Sequence, residues 1–87
     1  MNADRRYILR WLATQLGSQL DLPSTVIDPL MPLAEMGVDS VHAVSLVGDV
    51  EAHFDIDVEL TLVFDHPTLS HIADHIRLAL TEDGAAA

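Results

Sequence analysis

Five residues, Gly37-Val38-Asp39-Ser40-Val41, bring together turn formers, a hydroxyl and the start of an apolar-periodic run. Gly37 and Asp39 favour a turn, Ser40 is a favoured helix N-cap, and the residues after it repeat at helical spacing. The expectation is a helix that opens at Ser40 with its hydroxyl at the surface. A phosphate esterified to that oxygen would lie beside the unpaired N–H groups and the positive dipole end of the first turn. The attraction is worth about 0.3–1 kcal/mol for an exposed anion, and the Asp39 carboxylate works against it, so a group placed there needs a covalent bond to stay. Taken alone, the five residues are more economically a plain N-cap after a loop.

Other residue sets that can do chemistry are incomplete. Asp55, Asp57 and Glu59 suggest a calcium loop, but such a loop needs glycine at its sixth position and a carboxylate at its twelfth, where this chain has Leu60 and His66. His71 and His75 are four apart on one helix face, yet Ile72 replaces the glutamate of a metalloprotease pair and no third ligand is specified. They read as exposed histidines, and no metal site is expected. Asp39, Ser40 and His42 cannot form a nucleophilic triad, because residues one and two apart on a helix do not face each other. There is no glycine-rich phosphate loop. The chain is therefore not expected to be an enzyme.

The elements that must position Ser40 follow from periodicity. Ile8, Leu9, Leu12, Ala13 and Leu16 mark one face of a first helix, with Tyr7 and Trp11 along its flank and Gly17 as a C′ stop. Trp11 reads as core edge rather than a ligand platform. From Ser18 to Asp39, Pro23, Pro29 and Pro32 break the pattern and predict a long loop with room for one helical turn. Leu20, Leu22, Val26, Ile27, Leu30, Leu33 and Met36 suggest that this loop drapes over the core.

A second helix is predicted from Ser40 to His53 or Phe54, with Ala43, Val44, Val47, Val50 and Phe54 inward. Its other face gathers Val41, Ser45, Gly48 and Ala52 into a low strip flanked by His42 and Asp49. That strip either admits a partner close to Ser40 or takes a neighbouring element of the same domain. Asp55 to Glu59 alternates acid and apolar and is expected to be an extended linker, since no second strand signal exists to pair with it. Thr61-Leu62-Val63-Phe64 is a short helical turn ended by Asp65-His66-Pro67. The last helix has Thr68 as N-cap and Leu69, Ile72, Ala73, Ile76 and Leu80 on one face. The domain is expected over 1–80, with 81–87 a disordered tail or linker.

Composition narrows the classes further. At 87 residues and 49% hydrophobic, the chain has one small core and buries roughly 60–65% of its unfolded surface. It has no cysteine, hence no disulfide framework or thiolate zinc site. No apolar run approaches the roughly 18 residues that span a bilayer, and the N-terminus lacks a secretory signal, so a cytoplasmic protein is expected. Arg5, Arg6, Arg10 and Arg77 are the only strong cations against a net charge of -10, and every formal charge from Trp11 to Ile76 is negative. Such a surface repels nucleic acid and anionic lipid and steers toward partners with basic patches.

Three separated stretches resemble an acyl carrier protein of the polyketide synthase type. Ile27-Asp28-Pro29 is similar to the loop signature after the first helix. Met36-Gly37-Val38-Asp39-Ser40-Val41 resembles the Leu-Gly-x-Asp-Ser-Leu attachment motif, and Thr61-Leu62-Val63-Phe64-Asp65-His66-Pro67-Thr68 is similar to Thr-Leu-Val-Phe-Asp-Tyr-Pro-Thr. The resemblance implies an all-α four-helix bundle with a long loop between helices 1 and 2 and a short third helix. It implies a 4′-phosphopantetheine attached to Ser40 by a phosphopantetheinyl transferase, with Asp39 a contact for that transferase and for other partners.

Acidic and strip residues Asp39, Val41, Ser45, Gly48, Asp49 and Glu51 are the expected docking positions. The expected partners are acyltransferase, ketosynthase or acyl- and aminoacyl-loading enzymes with basic patches, the chain itself being a monomer and a substrate of those enzymes. Polyketide or antibiotic biosynthesis is the implied setting. Two readings compete: a peptidyl carrier of a nonribosomal pathway, in which histidine predominates where Asp39 stands, and an acidic helical interaction module with no prosthetic group. The second helix lacks the arginine and asparagine of many modular polyketide carriers, Val41 replaces the usual leucine, and Gly48 stands where a bulky or polar residue is frequent. Met1 and the short tails lead to the expectation of a discrete protein acting in trans, although an excised synthase domain would look much the same.

Overall fold

The computed structural model describes residues 4–59, 61, 63 and 68–86, with the side chains of 82–86 left aside. Three α-helices occupy the described residues: α1 (Arg5–Leu20), α2 (Ser40–Phe54) and α3 (Leu69–Ala86). Between α1 and α2 the chain makes two 3-10 turns, Ser24–Val26 and Leu33–Met36. The expected all-α architecture is present, and no strand occurs among the described residues. Thr61 and Val63 have helical backbone, whereas 62 and 64–67 of the expected short third helix and its stop lie outside the described residues.

The core follows the helical periods. Ile8, Leu12 and Leu16 from α1 meet Leu69, Ile72, Ala73 and Ile76 from α3, all fully buried, with Ala43, Leu46, Val47, Val50 and Phe54 from α2. Burying each such side chain contributes about 1.5–3 kcal/mol. Two positions on α2 correct the sequence reading. Val44 is 54% exposed and Leu46 takes the inward place, because the sector of α2 that faces α1 and the shared core is slightly turned from the one apolarity alone selects. In the linker, Ile56 and Val58 point inward while Asp55, Asp57 and Glu59 are exposed, an extended alternating segment.

Gly17 does not end α1. The helix runs on to Leu20 and is closed by Asp21 in the left-handed region at φ 59. The glycine is there because the chain folds back over it: the Leu22 N–H donates to the Gly17 carbonyl at 2.8 Å, and a Cβ on Gly17 would stand 2.5 Å from the Leu22 carbonyl oxygen. The following loop is only partly draped. Ile27 and Leu33 are buried, but Leu22, Val26 and Leu30 are exposed. Asp28 organises its middle, accepting from the Leu30 N–H at 2.9 Å, and the Pro29 carbonyl accepts from the Ser70 N–H, which ties the loop to the start of α3.

Thr68 caps α3 as its type predicts, its hydroxyl oxygen accepting from the His71 N–H at 3.3 Å. The backbone of α3 is helical as far as Ala86. Arg5 ties α1 to α3 through Asp74, Nε to Oδ1 at 2.7 Å, and through the Ser70 hydroxyl. At the opposite end of α2 from Ser40, His53 stacks on Trp11 with ring centroids 4.5 Å apart and shares a 2.7 Å hydrogen bond with the Tyr7 hydroxyl. Trp11 is thus a core-edge residue that braces α1 against α2.

Candidate functional site

Ser40 is delivered to the surface by three local devices. The 3-10 turn Leu33–Met36 closes at Gly37, whose φ of 89 belongs to the region that glycine adopts without a Cβ penalty. The Gly37 and Val38 N–H groups return to the Ala34 and Leu33 carbonyls, both at 3.2 Å. The chain then enters Asp39 in an extended conformation, φ -102 and ψ -173, and α2 begins at the next residue. Asp39, not Ser40, is the N-cap. Both residue types favour that place; the turn at Gly37 puts the extended backbone one residue earlier than expected. Ser40 is therefore the first helical residue, exposed, with its hydroxyl free of capping duty.

Around Asp39 the hydrogen bonding is reciprocal. Its Oδ1 accepts from the His42 N–H at 2.9 Å, while the His42 ring lies 2.9 Å from that carboxylate and 3.4 Å from the Asp39 N–H. The His42 N–H holds the Asp39 carboxyl below its usual range against the opposing effect of desolvation, with the imidazole, when protonated, and neighbouring backbone N–H groups adding to the lowering. The carboxylate is thus ionised at neutral pH beside Ser40. The association of His42 with Asp39 was not foreseen, although a polar residue three positions after the cap is the signal that reveals it.

Beside Ser40 opens a cavity of about 310 Å³, with Ser40, Asp39 and Val38 on one side and Pro32, Leu33 and Val63 among its walls. This apolar wall next to an exposed hydroxyl fits the aliphatic part of a pantetheine arm, and the site suits a phosphodiester in being open to solvent. The neighbouring Asp39 charge is met by the His42 groups rather than left facing the phosphate alone.

The expected docking positions separate into two sets. Val41, Ser45 and Gly48 are exposed along one strip of α2 with Ala52, and a Cβ on Gly48 would meet nothing within 4 Å. No described element packs there, so the strip faces outward. Val44 joins it, missed because its apolar character suggested the core; Val41, at 70% exposure, is the more open of the two valines. Asp49 flanks the strip and is half-buried. Glu51 is half-buried and committed in part to the fold, its Oε2 accepting from the Val58 N–H at 3.1 Å. His71 and His75 belong to α3 and are not joined to this site; Nδ1 of His71 bonds the Thr68 hydroxyl at 2.9 Å.

Comparison with known proteins agrees with this geometry. A free-standing peptidyl carrier protein from Acinetobacter baumannii superposes with a TM-score of 0.87 at 29% identity, covering 91% of this chain and 99% of that one. BlmI, a type-II acyl carrier protein from Streptomyces verticillus involved in bleomycin biosynthesis, gives 0.81 at 25% identity over 87% and 89%. In sequence, the chain is 38% identical over 74 residues to the spectinabilin polyketide synthase system protein NorC of Streptomyces orinoci. This covers 84% of the chain and 3% of that protein. A 6-methylsalicylic acid synthase of Arthrobotrys oligospora is 35% identical over 69 residues, 78% of the chain and 4% of the synthase. The chain thus spans a few hundredths of the length of these curated relatives. Residues 10–76 match the family described as phosphopantetheine attachment site. The chain belongs to that family, a carrier that serves as substrate for partner enzymes and whose relatives hold 4′-phosphopantetheine on a serine.

Proposed function

We propose that Ser40 carries the arm and that the chain holds acyl intermediates for polyketide or related secondary-metabolite biosynthesis. The observation that carries this reading is the exposed Ser40 hydroxyl at the first residue of α2, just after the Asp39 cap and beside an apolar cavity. A phosphopantetheinyl transferase would join Ser40 Oγ to the 4′-phosphate of coenzyme A. One phosphodiester bond forms, the pyrophosphate bond breaks, adenosine 3′,5′-bisphosphate leaves and the serine proton is lost. When bound, the arm supplies a terminal thiol that holds cargo as a thioester.

The protein's own residues contribute presentation and address. A tether keeps the cargo at an effective concentration that reaches the mM range at a docked active site. Asp39, Asp49 and the strip Val41, Ser45 and Gly48 form the face offered to basic patches on acyltransferase, ketosynthase or loading enzymes, with Glu51 at its edge. Charge steering with modest contact suits a carrier that must leave each partner. The chain acts as a monomer in the cytoplasm.

A peptidyl carrier reading is favoured by one observation, the close superposition on the free-standing peptidyl carrier; the polyketide relatives in sequence favour acyl cargo. Intact-protein mass measured before and after incubation with coenzyme A and a broad-specificity transferase tests the carrier assignment. A gain of one phosphopantetheine by the parent and none by Ser40→Ala is expected. An equal gain by Ser40→Ala would remove Ser40 from the role. Incubating the loaded carrier with a malonyl-transferring acyltransferase and, separately, with an aminoacyl-adenylating enzyme then divides the two cargo classes.

A further inference from the structure

We infer that His42 is a positioning residue for modification of Ser40: its imidazole clamps Asp39 in the cap and so presents the carboxylate and the neighbouring hydroxyl to the transferase as one preformed unit. This rests on the proposed attachment at Ser40. His42 is the third residue of α2, and its backbone and ring approach Asp39 from the same side, the N–H donating to Oδ1 at 2.9 Å and Nδ1 lying 2.9 Å from that oxygen. The ring is 29% exposed, whereas the Asp39 side chain is 64% exposed.

The clamp works in either state of the ring. With Nδ1 protonated, the imidazole donates to the carboxylate; with Nδ1 bare, it accepts from the Asp39 N–H at 3.4 Å and completes a capping box. Both arrangements hold Asp39 extended, at ψ -173, which sets where the following Ser40 Cα–Cβ bond points. Without the ring, backbone N–H groups alone, that of His42 foremost, remain to keep the carboxylate in place, and a transferase would have to order it on binding. The expected signature lies in recognition of the apo chain, with the chemistry of transfer little changed.

Glutamine is the designed rescue, since a Gln at this position of a capping box accepts from the cap N–H and its amide can also donate to the carboxylate. Steady-state transfer from coenzyme A would be followed on the parent chain, His42→Ala, His42→Gln and Asp4→Ala. Asp4→Ala removes the cap bond of α1 to the Tyr7 N–H and controls for a general loss of helix stability. His42→Ala is expected to raise KM for the chain about five-fold with kcat within about two-fold, the order of effect one lost capping interaction allows. His42→Gln should return KM to within about two-fold of the parent, and Asp4→Ala should leave it unchanged.

Equal KM values for parent and His42→Ala, or the same loss in His42→Gln and Asp4→Ala as in His42→Ala, would overturn the inference. A parent that gains no mass at all would instead overturn the assignment of Ser40, and this inference with it. The two failures are therefore distinct.

Discussion

Gly48 and Gly17 both lie inside helices, but only at Gly48 should substitution with alanine raise stability. Gly48 is the ninth residue of α2, has ordinary helical backbone, and is exposed with nothing within 4 Å of where its Cβ would stand. Alanine there gains the difference in helix propensity, about 0.8–1 kcal/mol, with no packing loss to set against it. For a domain of this size, that raises the melting temperature by about 4–8 °C. At Gly17 the propensity gain is the same, but the new Cβ meets a backbone oxygen at 2.5 Å, and backbone cannot turn aside as a side chain can. Overpacking of about 1–3 kcal/mol cancels or exceeds the gain, so Gly17→Ala should melt at or below the parent temperature.

The functional half of the experiment uses Gly48→Leu. Leucine is nearly as good a helix former as alanine, so this chain should fold at least as stably as the parent. It also fills the low strip between Val41, Ser45 and Ala52, and should slow acyl transfer to a docked ketosynthase severalfold through KM. Thermal melting followed by circular dichroism, with transfer assayed on the loaded carrier, measures both. A lowered melting temperature for Gly48→Ala would mean that an internal element packs on the strip. A stable Gly48→Leu with unchanged transfer would mean that the strip is not where partners dock.

Three further outcomes follow from the structure. Asp39→Ala should lower stability at pH 7 relative to the parent, and the difference should close as acid is added. The folded carboxyl titrates below its unfolded counterpart, so its contribution is present above the ordinary aspartate range and is lost as the pH falls below about 4; melting curves at stepped pH would show a constant difference if this were wrong. Gly37→Ala should cost about 1 kcal/mol through the left-handed backbone at φ 89, visible as a lower denaturant midpoint; an unchanged midpoint would show that the turn relaxes without strain. Association with partner enzymes should weaken as salt rises from about 0.05 to 0.5 M, since a surface of net charge -10 is steered by forces that salt screens. Binding that is indifferent to salt would point to apolar docking through Val41 and Val44.

The sequence alone determined the features that depend on local pattern. The three α-helices are legible because Ile8, Leu12 and Leu16, Val47, Val50 and Phe54, and Leu69, Ile72 and Ile76 repeat at a spacing that makes sense only on a helix with one buried face. Ser40 at a surface helix start and the ordered motifs around it were equally plain. Tertiary packing decided the rest. Asp39 and Ser40 are both good caps, so which of them caps α2 was chosen by the turn at Gly37 that sets the backbone entering the helix. A wheel cannot rank Val44 against Leu46, because what packs against α2, α1 and the shared core, and not α2 itself, defines which sector is inward. The two helical glycines look alike in sequence; only the course of the Leu22 backbone gives Gly17 its reason, and only open space beside Gly48 separates an outward-facing strip from a packing surface. Each of these turns on a residue distant in sequence or on a backbone angle, and neither can be read from a local pattern of apolar and polar side chains.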